Sequence, residues 1–254
     1  RMAIQRGAKK LGIHSMLASN ELNHTYMIHT VQMLLETVAT LSEKLGRRFE
    51  FINMGGGLGI PYHPSETPLN LRKMAAAITT LFVEFKDNNG YAPRLYMESG
   101  RYITGPHGVL VTRAINRKDI YRTYIGVDAS MSSLMRPAIY GAYHHIDILG
   151  KGASEHDKEV DVVGSLCENN DKFAIQRRLP DIDAGDILCI HDTGAHGFSM
   201  GFNYNGRLRP KELMLDPDGT VTLIRREEHR EDYFATLNVE PDKIRPGNHI
   251  HKAA

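Results

Sequence analysis

The sequence has few cysteines, no long apolar run and no excess of charge of either sign. Cys167 and Cys189 are its only cysteines, too few for a disulfide framework, so we expect a reducing compartment, the cytoplasm. With 31 basic and 30 acidic residues, no global field attracts nucleic acid or an anionic membrane surface. No apolar run approaches the roughly 20 residues that span a bilayer, and no signal-peptide core follows the first residues. These absences argue against secreted, nucleic-acid-binding and membrane-spanning proteins.

The first part of the chain alternates short strand-like runs with amphipathic helices. Strands are predicted at residues 11–14, 49–54 and 94–98, and helices at 23–46 and 69–86. This order, with connections long enough for crossover helices, predicts parallel strands joined by right-handed crossovers. Three strands are too few for a closed barrel, which needs eight. We interpret residues 1–105 as the C-terminal portion of a (β/α)8 barrel and the chain as a fragment whose first barrel strands are absent.

After residue 105 the pattern changes to short β-rich runs separated by turn residues, with no long amphipathic helix between them. The runs lie at residues 109–115, 121–127, 143–148, 159–163, 186–190 and 220–224. This pattern predicts an antiparallel β-domain over residues 106–237. Residues 238–254 contain little apolar material. We assign them to a C-terminal extension of unknown role, whose His249 and His251 are solvated rather than metal ligands, and we expect no metal site.

A cluster of glycines directly follows the second predicted strand. Residues 54–62 read Met-Gly-Gly-Gly-Leu-Gly-Ile-Pro-Tyr, in which Gly55, Gly56, Gly57 and Gly59 remove most Cβ atoms from the turn. Glycine permits positive φ and lets backbone N–H groups approach a ligand closely. Bare amides in such a turn favour an anion such as phosphate. The segment matches neither the P-loop nor the dinucleotide fingerprint, and a flexible turn without a ligand is the alternative.

Two further segments place charged or nucleophilic side chains after strands. Glu98 and Arg101 follow the third predicted strand, at the end of the barrel where barrel enzymes keep their sites. A charge pair at a strand end is more often structural. Cys167 and Glu168 lie in the polar loop 164–171. A free cysteine is commonly a small buried apolar side chain, but its acidic neighbours favour a chemical role.

Taken in order, the motifs resemble those of the pyridoxal-phosphate-dependent decarboxylases with an alanine-racemase-type barrel, most closely the diaminopimelate decarboxylases. They are the glycine cluster, Glu-Ser-Gly-Arg at 98–101, Arg-Pro-Ala-Ile-Tyr at 136–140, Cys-Glu-Asn-Asn-Asp at 167–171 and Gly-Ala-His at 194–196. The likeness extends over residues 12–237. It implies a barrel that binds pyridoxal phosphate, a β-domain, a homodimer with shared active sites, and decarboxylation of meso-2,6-diaminoheptanedioate to L-lysine in lysine biosynthesis.

The resemblance also implies which residues bind the cofactor. The four glycines of the turn and Ser19 correspond to ligands of the cofactor phosphate. Glu98 corresponds to the carboxylate that faces the pyridine nitrogen and keeps it protonated. Arg101 corresponds to a ligand of the phosphate or of a substrate carboxylate. His196 stands where the family has a tyrosine that donates to the phosphate or substrate, and an imidazole can donate in a pH-dependent way.

A second set of residues is implied to contact the substrate. Arg136 and Tyr140 correspond to substrate contacts, and guanidinium groups such as those of Arg101 and Arg136 suit carboxylates. Cys167 corresponds to a proton donor that reaches the active site of the partner subunit, together with Glu168, which binds the distal end of the substrate. A thiol that titrates near neutrality is a competent acid for this step.

The sequence departs from the family pattern at two positions and by one absence. Met16 stands where the family has a histidine that stacks on the cofactor ring; methionine can pack on an aromatic face but cannot act as an imidazole. His196 replaces the tyrosine. No lysine has the sequence context of the family's cofactor-binding lysine, which we expect in the absent N-terminal part.

These departures leave two alternatives to diaminopimelate decarboxylation. One is a related decarboxylase acting on arginine, ornithine or carboxynorspermidine. The other is a catalytically inactive barrel remnant that binds a partner or phosphate. The retention of Glu98 together with Cys167 favours an enzyme, because a binding protein needs neither a pyridinium partner nor a thiol acid. Arg136 and Glu168 favour a substrate with both charges at its far end.

Overall fold

The computed structural model describes residues 1–152 and 154–237. The predicted extension at 238–254 lies outside the described residues, as do His249 and His251. The chain divides into two compact units, Arg1–Gly201 and a second that begins at Phe202. The predicted barrel portion at 1–105 and the predicted β-domain up to residue 201 lie in the first unit, and residues 202–237 of the predicted β-domain lie in the second. The predicted domain boundaries stay predictions. In the described part of the chain, none of the helices is long and apolar enough to cross a membrane.

The first unit opens with a three-stranded parallel sheet and its helices. The elements are α1 (Met2–Gln5), β1 (Gly12–His14), α2 (His24–Leu45), β2 (Phe51–Asn53), α3 (Leu71–Asn89) and β3 (Arg94–Tyr96). The strands lie in the order β1-β2-β3, and both pairs are parallel. Ile52 of the central strand is fully buried between Ile13 and Leu95. This arrangement confirms the strand–helix repeat expected of the C-terminal part of the barrel.

The two long helices begin and end at residues that the sequence marks. Asn23 caps α2 by accepting a hydrogen bond from the Thr25 amide at 2.9 Å, and Gly46 ends it in the left-handed conformation at φ 61°. Asn70 caps α3 in the same way through the Lys73 amide. Their apolar faces form a core with β2, which includes Met27, Val31, Leu34, Leu35, Val38, Ile52, Met74, Ile78 and Phe85.

A six-stranded sheet follows in the same unit. Its strands and the two short helices that precede or interrupt them are α4 (Gly100–Thr104), β4 (Leu110–Asp119), β5 (Thr123–Val127), α5 (Arg136–Tyr140), β6 (Ile146–Ile148), β7 (Lys158–Val163), β8 (Lys172–Leu179) and β9 (Ile187–Ile190). The order is β6-β9-β4-β5-β7-β8. All pairs are antiparallel except β5 with β7, which the long connection through α5 and β6 allows to run parallel.

The core of this sheet is built from alternate residues of its strands. Ile125 and Val127 of β5 and Leu188 and Ile190 of β9 are fully buried at every second position. Strand β8 was not predicted, and its buried and exposed residues do not alternate regularly. Gln176 has a φ of 46°, and the pairing of β7 with β8 shifts register nearby.

The second unit contains a hairpin and a short helix in its described part. The elements are β10 (Glu212–Leu215), β11 (Val221–Arg225) and α6 (Arg230–Tyr233). The two strands pair antiparallel, with Leu215 opposite Val221. The sequence predicted β11 but not β10.

Candidate functional site

The glycine turn after β2 packs against the loop after β1. Gly55 and Gly57 have φ values of 72° and 103°, as the sequence predicted for this turn. A Cβ on Gly57 would lie 2.6 Å from the Ala18 carbonyl oxygen, and one on Gly59 would lie 2.6 Å from the backbone of Asn20. Glycine is therefore required at these positions by the close approach of two backbone segments of the protein itself.

Three hydrogen bonds join the same two loops. The Glu21 amide donates to the Gly57 carbonyl at 2.8 Å, and the Gly59 amide donates to the Glu21 carbonyl at 2.9 Å. Asn20, which the sequence analysis did not identify, accepts from the Ile60 amide at 2.9 Å through Oδ1. Its φ of 54° belongs to the left-handed region that asparagine tolerates. These bonds place Ser19, the residue before Asn20, beside the glycine turn.

Backbone amides of the turn remain available to a ligand. The Gly56 amide contacts the Met16 sulfur at 3.2 Å, a weak acceptor. Among the described residues, no acceptor is hydrogen-bonded to the amides of Gly57 and Leu58. Unpaired amides in a glycine turn suit an anion.

Glu98 is tied to this turn by both its backbone and its side chain. Its amide donates to the Gly55 carbonyl at 2.8 Å, and its Oε1 accepts from Asn53 Nδ2 at 2.7 Å. Asn53 Oδ1 in turn accepts from the Gly55 amide at 2.9 Å. His14 Nε2 lies 3.6 Å from the same carboxylate oxygen. Glu98 was predicted as a site residue from the sequence, whereas Asn53 and His14 were not, although both lie at or near the ends of predicted strands.

Arg101 and Arg136 lie on the ring of Tyr62. Their Cζ atoms are 5.8 Å and 4.2 Å from the ring centroid. Tyr62 is 6% exposed, and burial raises the pKa of its phenol. Within the described ranges, neither guanidinium forms an ion pair with a carboxylate. Two cationic groups thus converge on Tyr62 without an ion pair to any described carboxylate. The sequence did not indicate this tyrosine as a site residue.

Arg136 is itself buried, at 6% exposure. Its Nη1 lies 2.7 Å from Nε2 of His144, which is fully buried, and His144 Nδ1 lies 2.8 Å from the His191 carbonyl oxygen. Burial lowers the pKa of His144 to about 4. Tyr140, at the end of α5, is 64% exposed.

His196 lies in a loop that packs against the residues after α4. The Thr193 amide donates to the Gly108 carbonyl, and the Gly194 amide donates to the Gly105 carbonyl. His196 has a φ of 59°. Burial lowers the pKa of its imidazole, and the charges of Arg101 and Arg136 lower it further. The structure thus brings His196 near the two arginines, and its ring is favoured in the neutral form.

Four buried polar atoms near these groups have no hydrogen-bond partner in the described part of the chain. They are Ser15 Oγ, Tyr62 OH, Ser99 Oγ and His196 Nδ1. Buried polar groups are nearly always hydrogen-bonded in folded proteins. These four atoms lie in the same part of the chain as the glycine turn, Glu98 and the arginine pair. The three hydroxyl groups can donate hydrogen bonds to a ligand with several acceptor oxygens. The residues present therefore fit pyridoxal phosphate.

The loop that carries Cys167 and Glu168 is fixed by a buried aspartate. Asp171 accepts hydrogen bonds from the Met131 amide at 2.6 Å and from the Leu166 amide at 2.8 Å. Cys167 is an exposed free thiol. In the ranges that the structure describes, no hydrogen bond or ion pair joins Cys167 or Glu168 to the glycine turn, Glu98 or the arginine pair. Within the described ranges, the candidate residues of this loop therefore have no direct polar contact with the other candidate residues of the same chain.

The chain is similar in sequence to known proteins over most of its length. Residues 25–194 match the model of the pyridoxal-dependent decarboxylase family, C-terminal sheet domain. The chain is 48% identical over 242 residues to Protein TabA of Pseudomonas amygdali pv. tabaci, covering 95% of this chain and 57% of that protein. It is 40% identical over 240 residues to diaminopimelate decarboxylase of Methanothermobacter thermautotrophicus, covering 94% of this chain and 56% of that protein.

Solved structures agree with the sequence matches. The crystal structure of M. jannaschii diaminopimelate decarboxylase in co-complex with L-lysine matches with a TM-score of 0.82 and 34% identity, covering 90% of this chain and 52% of that chain. The chain spans about half the length of the relatives it matches. The family match extends over most of the chain. The chain belongs to the pyridoxal-dependent decarboxylase family.

Proposed function

We propose that the complete protein decarboxylates meso-2,6-diaminoheptanedioate to L-lysine, with pyridoxal phosphate as its cofactor. The observation that carries the proposal is the convergence of Arg101 and Arg136 on Tyr62, with no carboxylate of the described residues in ion-pair contact with either. Cationic groups without an ion-pair partner favour anionic ligands. A cofactor phosphate and a substrate carboxylate supply them.

Residues of the glycine turn and Glu98 would hold the cofactor. When bound, pyridoxal phosphate supplies a ring that accepts the electron pair left by the loss of CO2. Glu98 would hold a proton on the ring nitrogen. The amides of Gly57 and Leu58, together with Ser19, would donate to the phosphate, and Met16 would pack against the ring.

The substrate contacts follow from the charges of the remaining residues. Arg136 has a planar guanidinium that binds a carboxylate through two parallel hydrogen bonds. In a homodimer, Glu168 of the partner subunit would bind the distal ammonium of the substrate. Cys167 of the partner subunit would donate a proton to the carbon that has lost CO2. This arrangement is consistent with the lack of a direct polar contact between Cys167 or Glu168 and the other candidate residues of the same chain.

A related amino-acid decarboxylase is the second candidate, with arginine, ornithine or carboxynorspermidine as its substrate. Met16 and His196 replace residues that surround the cofactor in the resembling family, so the substrate pocket differs from the family pattern. The identity to Protein TabA, whose name states no substrate, also exceeds that to the diaminopimelate decarboxylase of M. thermautotrophicus.

A substrate panel distinguishes the candidates. The complete protein, supplied with pyridoxal phosphate, is incubated with meso-diaminopimelate, L-arginine, L-ornithine or carboxynorspermidine, and the release of CO2 is measured. We expect kcat/KM for meso-diaminopimelate to exceed that for the others at least about tenfold, since Arg136 recognises the carboxylate that they lack or place differently. Preference for another amino acid would support the second candidate. Absence of turnover with every substrate would support a catalytically inactive protein.

A further inference from the structure

Arg136 is a buried cation whose nearest polar partner is neutral. In the described part of the chain it forms no ion pair, and its side chain donates to His144 instead. Asp192 interacts electrostatically with Arg136 but forms no ion pair with it. Burial raises the pKa of the Asp192 carboxyl group. A buried charge without a counter-ion destabilises a fold unless a ligand uses it. The charged guanidinium is therefore suited to bind an anionic ligand.

The hydrogen bonds of His144 determine which of its nitrogens carries the hydrogen. A guanidinium can only donate, so Nε2 of His144 accepts from Arg136 at 2.7 Å. A carbonyl oxygen can only accept, so Nδ1 donates to the His191 carbonyl at 2.8 Å. The imidazole is neutral, with its hydrogen on Nδ1. Burial of the ring lowers the pKa of His144 to about 4, so this state persists at neutral pH.

Tyr62 limits the movement of Arg136 in a second direction. Its ring contacts the face of the guanidinium, with Cζ 4.2 Å from the centroid, and meets the His144 ring edge-to-face at 5.0 Å and 70°. Arg136 is thus held at one nitrogen by His144 and across its plane by Tyr62. A guanidinium has five N–H donors, so one bond to His144 leaves enough for a bidentate contact with a carboxylate.

We propose that His144 is a positioning residue that fixes the plane of the Arg136 guanidinium for recognition of a substrate carboxylate. The inference rests on the proposed function, because it requires Arg136 to bind the substrate. A carboxylate in the place of His144 would also orient Arg136, but it would neutralise the charge that the substrate needs. A neutral acceptor orients the group and leaves its charge intact.

The test compares two amines that differ by one carboxylate. The complete protein, loaded with pyridoxal phosphate, is titrated calorimetrically with L-lysine and with cadaverine, which lacks the carboxylate. We expect His144→Phe, which keeps a ring but has no acceptor, to bind L-lysine about tenfold more weakly and cadaverine unchanged. His144→Gln, whose Oε1 can accept from Arg136, should recover most of the affinity. Arg136→Gln should lose the preference for L-lysine.

Each other outcome overturns a defined part of the inference. Equal losses for L-lysine and cadaverine in His144→Phe would show a merely structural role. An unchanged preference in His144→Phe beside a loss in Arg136→Gln would overturn the positioning role and leave the proposed function in place. An unchanged preference in Arg136→Gln would overturn both. If His144→Phe does not fold, 15N NMR of the unmodified protein decides: at pH 7, hydrogen on Nε2 of His144 would overturn the proposal, and hydrogen on Nδ1 would support it.

Discussion

Asn53 Nδ2 donates a hydrogen bond to Glu98 Oε1 at 2.7 Å, between residues at the ends of the parallel strands β2 and β3 or shortly after them. The donor is a neutral amide, so the bond orients the carboxylate without cancelling its charge. Asn53 is itself fixed, because its Oδ1 accepts from the Gly55 amide. The Glu98 carboxyl group is therefore oriented by a neutral donor that is itself fixed.

This relationship makes Glu98→Gln a change of charge with little change of structure. The glutamine carbonyl oxygen can still accept from Asn53, but an amide cannot hold a proton on the ring nitrogen of the cofactor. We expect kcat for decarboxylation to fall about a hundredfold at unchanged cofactor content and melting temperature. Glu84→Gln, on the exposed face of α3, is the matched control. Equal kcat in wild type and Glu98→Gln would remove Glu98 from this role.

Gly57→Ala should destabilise the fold strongly. Its φ is 103°, and an added Cβ would lie 2.6 Å from the Ala18 carbonyl oxygen. Positive φ and overpacking together should lower the free energy of unfolding by about 3 kcal/mol. Urea denaturation measures the change. In the control Gly100→Ala, a Cβ meets nothing within 4 Å, so the midpoint should hardly move. A small loss in Gly57→Ala would mean that the two loops separate easily.

His144 should make the stability depend on pH. Its pKa is about 4 in the folded protein against an ordinary value of 6.5. The unfolded chain therefore binds a proton first as the pH falls. The contribution of the neutral imidazole to the free energy of unfolding is fully present above pH 6.5. It is lost progressively as the pH falls to about 4. Between pH 7.5 and 5 this linkage costs about 2 kcal/mol.

The measurement compares wild type with His144→Gln, which has no imidazole to protonate at this position. Urea unfolding at several pH values gives the free energy of unfolding of each protein. We expect the wild type to lose about 2 kcal/mol more than the variant between pH 7.5 and 5. Parallel pH profiles would show that the imidazole is not held in its neutral form.

If Cys167 serves the active site of the partner subunit, as proposed, two inactive variants should complement each other. Cys167→Ala and Glu98→Ala proteins should each be inactive alone. After exchange of subunits, about half of the dimers are mixed, and each mixed dimer has one intact site, so about a quarter of the wild-type activity should return. Light scattering and native mass spectrometry verify the exchange. Exchange without any recovery would place both residues in the site of one subunit or remove Cys167 from catalysis.

The sequence by itself determined the elements whose causes are local. Periodic apolar residues and the caps Asn23 and Gly46 predicted α2, because helix spacing and termini depend on neighbours within a few residues. The glycine turn and Glu98 were also identified, since a run of glycines and a strand-end carboxylate are visible without any tertiary contact. The order of the motifs indicated the family. Strand β8 was missed, and its buried and exposed residues do not alternate regularly.

Which of these residues act together follows from the folded arrangement of the chain. Asn53 meets Glu98 across 45 positions of sequence, and His144 meets the His191 carbonyl across 47. Such pairs arise from strand order and packing, which no local pattern specifies. The neutral state of His144 has the same origin, because burial is a property of the folded core. The chemistry of single residues is thus readable from the sequence, while their partners, burial and charge state follow from the fold.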